Sequence, residues 1–424
     1  MQFRIESFFN PHLSAGADRI DAVITVTAAS TGEAVNRKAG GGRAIAFVID
    51  CSGSMKDHGR LDAAKHAARV GINLLDETTS FSVIAFSYDA QILIPLSPAT
   101  IQNKERAHRE IQRLSGDGGT VFSTALLAAR EQLLKLSEGI RYALFLTDGE
   151  NDPQDHEDLG RAVESCKGLF QCDGRGVGSD WKTADLTFIA NTLLGNADII
   201  PSWEMMESAF REAIAAALAK GVADVRLRLW SPRTATATTI KQVSPEIIDL
   251  RPLKVRKDDK TIELPIGSWA AESRDYHVTL SFAPGNVGDE MLVCRPSVVY
   301  QNSGQEIVVA APPVIATWTS DATLATRLSP QVAHYTGQQE LADSISEGLA
   351  ARERGDLDQA TKLLGNAARI AATSGNDEVT RRLKHVVDIV DAPQGTVRLR
   401  SAVSRADELV LDMGGTRTVR RKIN

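Results

Sequence analysis

The stretch that decides the fold is "RAIAFVIDCSGSMKD", residues 43–57. Six apolar residues, 44–49, run without interruption into Asp50, and Ser52 and Ser54 follow at once. A continuous apolar run is typical of a strand that is buried on both faces of a parallel sheet. We therefore predict a central strand whose carboxyl end carries oxygen-bearing side chains.

The surrounding chain alternates between strand and helix patterns from residue 43 to residue 220. Residues 60–76 have apolar side chains at helical spacing, and "YALFLTDG", residues 142–149, is a second buried run. The runs 80–87 and 90–97 flank a short turn and predict a hairpin. Alternation of this kind predicts an α/β domain, a doubly wound, mostly parallel sheet of the Rossmann-like type with helices on both faces.

Short alternating runs separated by Pro, Gly and Asp follow in residues 221–320, for example "VADVRLRLW" at 222–230. This pattern predicts an antiparallel β-sandwich. Residues 1–42 have the same alternating pattern, as in "DRIDAVITVTAAS" at 18–30. We therefore expect the N-terminal strands to complete the sandwich, with the α/β domain inserted between them and the later strands.

The remaining chain is predicted to be helical and then basic. Residues 321–392 predict a helical hairpin around Gly355, and residues 393–424 combine few apolar groups with several arginines. The predicted domains are the N-terminal sandwich strands at 1–42, the α/β domain at 43–220, the sandwich at 221–320, the helical region at 321–392 and a basic tail at 393–424.

Composition limits the classes of function. The chain has 424 residues, enough for two or three domains, and a formal net charge of -6, which does not favour nucleic acid as a partner. Its start has no secretory signal pattern, and it contains no apolar run of 18 residues. These features predict a cytoplasmic protein without a membrane span. The four cysteines are too scattered for a disulfide framework.

Oxygen-bearing side chains follow two of the predicted parallel strands. In an open α/β sheet, ligands bind beyond the carboxyl ends of the strands, and both Asp50 and Asp148 stand at such ends. Ser52 and Ser54 add hydroxyl groups, and the glycine-rich "GDGGT" at 116–120 can bring Thr120 to the same point. Carboxylates and hydroxyls suit Mg²⁺ or another hard divalent ion, and they do not suit a soft metal.

These residues resemble the metal-ion-dependent adhesion site of von Willebrand factor type A domains. The D-x-S-x-S pattern at Asp50, Ser52 and Ser54, then Thr120, then Asp148 followed by glycine, match in order over about residues 43–220. The resemblance implies Mg²⁺, or alternatively Mn²⁺ or Ca²⁺, held directly by the three hydroxyls, with the two aspartates near it or bonded through water. It also implies an open coordination position for an Asp or Glu carboxylate of a partner protein.

Other interpretations of these segments stay open. The stretch at Asp50 could be a turn that caps the next helix. Asp148 and Asp152 also resemble the acidic motif of haloacid-dehalogenase-like phosphatases, but that family has a second aspartate where this chain has Ser52. The sequence "GDLDQA", residues 355–360, resembles part of a tetratricopeptide unit, although such repeats need about three copies to bury a core.

The favoured hypothesis is a non-catalytic, Mg²⁺-dependent protein-interaction module, and the alternative is a Mg²⁺-dependent, phosphohydrolase-like enzyme. One stability expectation follows from two carboxylates facing each other without a metal. Removing Asp148 would relieve their repulsion, so the metal-free Asp148→Ala protein is expected to melt no lower than the wild type.

Overall fold

The structure is a computed structural model that describes residues 1–30, 42–177, 183–200, 202–302, 304–418 and 420. Residues 31–41 of the predicted N-terminal segment lie outside the described residues, as do residues 419 and 421–424 of the predicted basic tail. The described N-terminal strands are β1 (Gln2–Phe9), β2 (His12–Ser14) and β3 (Arg19–Ala29). β1 pairs with β3 in antiparallel register from Gln2 opposite Ala29 to Phe9 opposite Ala22.

The α/β domain follows. Its strands are β4 (Gly42–Asp50), β5 (Thr79–Phe86), β6 (Ala90–Pro98), β7 (Gly139–Thr147), β8 (Gln171–Val177) and β9 (Ala197–Ile200). They form one sheet in the order β6-β5-β4-β7-β8-β9. β6 pairs with β5 in antiparallel fashion, as the predicted hairpin requires, and the other pairings are parallel. β4 therefore lies inside the sheet, with parallel neighbours on both sides.

Helices cover both faces of this sheet. They are α1 (Arg60–Asn73), α2 (Ile101–Gln112), α3 (Phe122–Leu133), α4 (His156–Cys166), α5 (Thr183–Thr192) and α6 (Met206–Ala219). Phe47 on β4 packs in the core under α1, α2 and α6, whereas Val48 packs in the core under α3, α4 and α5. Successive residues of a strand point to opposite faces, so an uninterrupted apolar run is what a doubly covered strand needs.

The sandwich resumes after α6. Its further strands are β10 (Val225–Trp230), β11 (Ala235–Ser244), β12 (Ile248–Asp249), β13 (Val255–Arg256), β14 (Thr261–Pro265), β15 (Ser273–Phe282), β16 (Glu290–Asn302), β17 (Gln305–Ala310) and β18 (Val314–Thr319). One sheet has the order β1-β3-β15-β11-β12, and the other has the order β13-β14-β10-β16-β18-β2, with β17 paired to β16. The N-terminal strands thus join both sheets. The predicted fold class, an α/β domain inserted in a β-sandwich and followed by helices, is confirmed.

A helical region follows the sandwich. Its helices are α7 (Ala322–Ala325), α8 (Pro330–Glu353), α9 (Leu357–Ser374) and α10 (Asp377–Val386). α8 and α9 pack together around Gly355, whose φ of +80° lies in the left-handed region that glycine adopts without strain. Ile345 of α8 and Leu364 of α9 are fully buried in their shared core.

The last described residues have more structure than the sequence predicts. A two-stranded hairpin, β19 (Val387–Asp391) and β20 (Thr396–Leu399), precedes helix α11 (Arg405–Gly415). Arg417 then forms an antiparallel bridge with Glu246 of the sandwich, and the Thr418 hydroxyl donates to the carbonyl oxygen of Val243 at 2.6 Å. Residues 417 and 418 therefore contact the sandwich. The domain boundaries given above remain a prediction.

The helices of the described ranges were compared with the requirements for crossing a membrane. None of the helices there combines the length and the apolar character that a span needs.

Candidate metal centre

Asp50 ends β4 and is fully buried. Its Oδ1 accepts a hydrogen bond from the backbone N–H of Ser52 at 2.7 Å, and its Oδ2 accepts one from the Thr147 hydroxyl at 2.5 Å. Burial raises the pKa of Asp50 to about 6, although these hydrogen bonds oppose the shift, and the nearby Asp148 carboxylate adds to it. A buried carboxylate in this state favours a cation beside it.

A chain of oxygen atoms joins the loop after β4 to the end of β7. The Ser52 and Ser54 hydroxyl oxygens are 3.0 Å apart, and the Ser54 hydroxyl donates to Oδ1 of Asp148 at 2.7 Å. Ser52 and Asp148 are buried, and Ser54 is half-buried. Parallel strands end at one edge of a sheet, so residues 98 positions apart, Asp50 and Asp148, meet there.

Thr120 reaches the same place from the glycine-rich loop 116–120. Backbone hydrogen bonds hold this loop to the loop after β4, from Gly53 N–H to the Gly118 oxygen at 2.9 Å and from Asp117 N–H to the Cys51 oxygen at 2.7 Å. A Cβ built on Gly149 would lie 3.3 Å from the Thr120 hydroxyl oxygen and 3.6 Å from that of Ser54. The five predicted residues are therefore brought together at one edge of the sheet.

The loop before Thr120 needs its glycines. Gly118 has a φ of +83°, and a Cβ on Gly119 would lie 2.5 Å from the Tyr88 ring. Tyr88 covers this backbone and still exposes 59% of its surface. The aromatic ring thus packs against the loop that carries Thr120.

Sequence reasoning missed Arg60, the first residue of α1. Its Nη1 lies 2.7 Å from Oδ2 of Asp148, and its guanidinium lies over the Trp203 ring at 4.8 Å. It also missed Thr147, the donor to Asp50. A hydroxyl residue directly before Asp148 was a usable signal for Thr147, but no spacing rule connects Arg60 to Asp148 or Trp203.

Two other acidic residues near the site, Asp117 and Asp152, make contacts outside the oxygen cluster. The Asp117 side chain is 91% exposed and faces Lys56 at 3.4 Å, and Asp152 accepts from the Gln154 N–H at 2.9 Å at the start of a short 3₁₀ helix. Glu150 is exposed, and the Asp57 side chain lies outside the described residues. In the part of the chain that is described, no group of three or more His, Cys, Asp or Glu side chains is placed to hold a metal ion.

Comparisons with known proteins match two segments to families. Residues 44–208 match the von Willebrand factor type A domain, and residues 369–415 match the von Willebrand factor type A C-terminal domain. The second match begins in the last third of α9 and continues through α10 and the hairpin to the end of α11.

Two solved structures match nearly the whole chain. A von Willebrand factor type A protein from Catenulispora acidiphila is 37% identical, with 99% of this chain and 97% of that chain covered and a TM-score of 0.93. The ArnB paralog VWA2 from Sulfolobus acidocaldarius is 15% identical, with 98% of each chain covered and a TM-score of 0.61, and so shares the fold.

Curated relatives match only in part. An uncharacterised protein of Synechocystis sp., sll0103, is 30% identical over 213 residues, which cover 49% of this chain and 50% of that protein. The uncharacterised protein YfbK of Escherichia coli is 24% identical over 49% of this chain and 36% of its own length. The chain thus spans half or less of the length of these two relatives.

Proposed function

The chain belongs to the von Willebrand factor type A family, and we propose that it is a metal-dependent protein-interaction module that binds a carboxylate of a partner through a divalent ion. Domains of this family generally mediate protein interactions. The observation that carries the proposal is the convergence of Ser52, Ser54, Thr120 and the two buried aspartates at one edge of the sheet.

The donor chemistry fits a hard divalent cation. Hydroxyl and carboxylate oxygens are the ligands that Mg²⁺ prefers, and the buried carboxylates of Asp50 and Asp148 favour a positive charge. This supports Mg²⁺ as the ion, with Mn²⁺ and Ca²⁺ as alternatives. When bound, the ion would supply the positive charge to which an Asp or Glu carboxylate of a partner protein binds.

The residues of the chain have distinct roles in this proposal. The hydroxyls of Ser52, Ser54 and Thr120 would contact the ion directly. Asp50 and Asp148 already accept hydrogen bonds from Ser52 and Ser54, so they would orient the hydroxyl-bearing loop and contribute charge from behind it.

An interaction role is favoured over hydrolysis by the state of Asp50. A nucleophilic aspartate must present an oxygen to its substrate. Asp50 is fully buried, and each of its carboxylate oxygens accepts a hydrogen bond, from Ser52 and from Thr147. We therefore propose no catalytic residue. From the sequence we also propose the cytoplasm as the location.

The test compares two threonines. Mn²⁺ and Mg²⁺ binding is measured by titration calorimetry on the wild type, on Thr120→Val and on Thr124→Val. Thr124 is a matched control because its hydroxyl donates to the Val121 oxygen, 3.1 Å away, and not to the oxygen cluster. Thr120→Val should weaken metal binding by roughly a hundredfold or more, beyond the usual penalty for an outer-shell group, and Thr124→Val should keep it.

The same proteins then test the partner. Affinity capture from the native cell should recover a partner with the wild type and with Thr124→Val in Mg²⁺, and should lose it with Thr120→Val or a chelator. A wild type that binds neither ion, or a Thr120→Val protein with unchanged metal affinity, would show the proposal to be wrong.

A further inference from the structure

A cavity of about 590 Å³ lies where three parts of the molecule meet. Helix α5 and the start of β9 line it from the α/β domain, the segment 246–253 lines it from the sandwich, and α8 and α11 line it from the C-terminal helices. Its volume is in the range of cavities that bind one small molecule, and such cavities are frequent where domains meet.

The cavity is separate from the oxygen cluster. Asp50 is the last residue of β4 and Asp148 directly follows β7, whereas Ala197, which lines the cavity, is the first residue of β9. These strands run parallel in one sheet, so the cavity lies towards the opposite edge of that sheet. A ligand in the cavity would therefore not depend on the proposed metal or on the proposed function.

Phe188 on α5 gives the cavity an apolar wall. Its neighbours Leu186 and Ile189 are buried in the core of the α/β domain, whereas Phe188 leaves 45% of its surface exposed. Ile247 of the sandwich and Met413 of α11 line the same cavity. An exposed aromatic ring in a concave surface offers a ligand a large area for packing.

The charged groups that line the cavity are acidic. Three carboxylates belong to the lining, those of Glu246, Asp249 and Asp412, and no Lys, Arg or His of the described ranges does. Asp249 accepts from Nη2 of Arg251 at 2.6 Å, and Asp412 has an interaction of its own within the protein. Glu246 differs from them, because no residue in the described part of the chain donates a hydrogen bond to its carboxylate.

The cation that pairs with Glu246 is shared with another carboxylate. Nη2 of Arg417 is 2.6 Å from Oδ2 of Asp198, whereas its Nε is 3.6 Å from Oε1 of Glu246, beyond the distance of a hydrogen bond. The Glu246 side chain is only 16% exposed. A carboxylate with little water and no hydrogen-bond donor would be stabilised by a cationic donor from a ligand.

We infer that this cavity binds a small organic cation, a protonated amine with an apolar body. The ammonium group pairs with the Glu246 carboxylate, and the apolar body packs on Phe188. Both features of the ligand follow from the lining, since an anion would meet carboxylates and a purely polar amine would leave the apolar wall uncovered.

The test uses three probes that share one aromatic body. They are 2-phenylethylamine, the neutral 2-phenylethanol and the anionic phenylacetate, each added to the full chain in the presence of chelator, so that phenylacetate meets no metal at the oxygen cluster. A titration to about 20 mM covers the roughly millimolar affinity that a ligand of this size reaches. The amine should bind about tenfold more tightly than the alcohol, as one partly screened ion pair would give, and phenylacetate should bind most weakly.

Met413 reports binding in this cavity. The chain has six methionines, and Met413 is the one that lines the cavity. In protein with ¹³C-labelled methionine methyl groups, the nuclear magnetic resonance signal of Met413 should shift during the titration because an aromatic ring enters beside it. The signal is assigned by its loss in Met413→Leu. The other methionine signals should stay in place.

Two variants separate the two contacts. Glu246→Gln keeps the size of the side chain and removes its charge, so the amine should bind about tenfold more weakly and the alcohol as before. Phe188→Ala removes an exposed ring and should weaken both ligands by the same factor, roughly fivefold or more.

Amine binding should also depend on pH. Burial raises the pKa of Glu246 to about 7, and the charges that act on it most are those of Arg417, Asp173, Asp198 and Arg175. The amine stays protonated near neutral pH, as a lysine side chain does. It should therefore bind the wild type about tenfold more weakly at about pH 6 than at about pH 8, because Glu246 must first release a proton. Glu246→Gln, measured at both values, should show no such change.

Each of four results would overturn the inference. The wild type alone decides three of them: no shift of Met413 with the amine, equal affinity for the amine and the alcohol, or tightest binding of phenylacetate. The fourth is an unchanged amine affinity in Glu246→Gln, which would show that Glu246 does not receive the ammonium group. None of these results bears on metal binding at the oxygen cluster.

Discussion

The carboxylate of Asp155 lies at the first turn of α3, where its Oδ2 is 3.0 Å from the backbone nitrogen of Ser123 and its Oδ1 accepts from the Ser123 hydroxyl. Asn151 accepts from the Phe122 N–H at 2.9 Å. The residue that precedes α3, Val121, makes no side-chain capping hydrogen bond. The loop after β7 therefore caps the helix that begins two residues after Thr120.

This cap predicts a joint effect on stability and on the metal site. Asp155→Ala should lower the free energy of unfolding by about 1–2 kcal/mol, because α3 loses the acceptor for its first N–H groups. Mn²⁺ binding should weaken as well, because the helix after Thr120 loses its anchor. Urea unfolding and Mn²⁺ titration measure the two effects.

Asp152 provides the control for this prediction. Its carboxylate caps only a three-residue 3₁₀ helix, through Gln154, so Asp152→Ala should cost less than Asp155→Ala. Equal losses in the two variants would show that the α3 cap is not the cause.

A second prediction concerns Asp148 and reverses the expectation from the sequence. Repulsion between two carboxylates predicts that metal-free Asp148→Ala melts no lower than the wild type. The ion pair with Arg60 predicts a loss, because Asp148→Ala removes the attraction between a buried carboxylate and a guanidinium 2.7 Å away. We expect a loss of about 2 kcal/mol in chelator, less than for a fully buried pair because Arg60 keeps some exposure.

Differential scanning calorimetry of wild type, Asp148→Ala, Arg60→Gln and the double variant measures this effect. The double variant should be less destabilised than the sum of the single variants, since each single variant already removes the attraction between the two charges. If Asp148→Ala melts at or above the wild-type temperature, repulsion between Asp50 and Asp148 outweighs the ion pair with Arg60.

The sequence predicts those features of the structure that depend on local residue patterns, and it does not predict contacts between residues far apart in the chain. The run at 44–49 and the strand-end positions of Asp50 and Asp148 are local patterns, and the rules for parallel sheets place them together. Arg60 and Trp203 are 143 positions apart in the chain, and their contact depends on how α1 and α6 pack. No residue periodicity carries that information.

The C-terminal elements were missed for a different reason. Few apolar residues of this region point inward, Val397 on β20 and Leu409 and Leu411 on α11, and charged residues surround them. Residue types alone do not show which side chains are buried. Many arginines among few apolar residues therefore predicted a solvated tail. The buried contacts of α11 with α8 and α10 come from tertiary packing.

A third prediction tests the insertion. β3 lies between β1 and β15, and its Val23 and Val26 have no exposed surface. A chain that starts at residue 43 lacks these strands, so the sandwich should lose its unfolding transition, while the α/β domain keeps its own two cores. If calorimetry shows the same unfolding transitions in the full chain and in the chain that starts at residue 43, this prediction is wrong.

A fourth prediction concerns the docking of the residues after α11. Arg417 Nη2 is 2.6 Å from Oδ2 of Asp198 on β9, and its Nε is 3.6 Å from Glu246. Arg417→Met should lower the free energy of unfolding by about 1–3 kcal/mol, because it removes the guanidinium that pairs with the partly buried carboxylate of Asp198. Arg251→Met is the control, since Arg251 forms an exposed pair with Asp249. Similar losses in urea unfolding would show that Arg417 is no more than a surface charge.

The last prediction is a pH dependence at Glu246, beside Arg417. Burial raises the pKa of Glu246 from 4.5 to about 7, although Arg417 opposes the shift. Between these two values the folded protein keeps a proton that the unfolded chain has released. The contribution of Glu246 to stability is therefore lost as the pH rises from about 4.5 to about 7, and it is constant above and below that window.

Glu246→Gln resembles the protonated side chain and should remove this loss. The variant and the wild type should be nearly equally stable at about pH 5, and the variant should be more stable at about pH 8, by at most about 3 kcal/mol. Urea unfolding at the two pH values measures the change in the difference between the proteins, which cancels the titration of every other group. A variant that is less stable than the wild type at about pH 8 would mean that Glu246 is ionised in the folded protein and that its attraction to Arg417 outweighs the cost of burial.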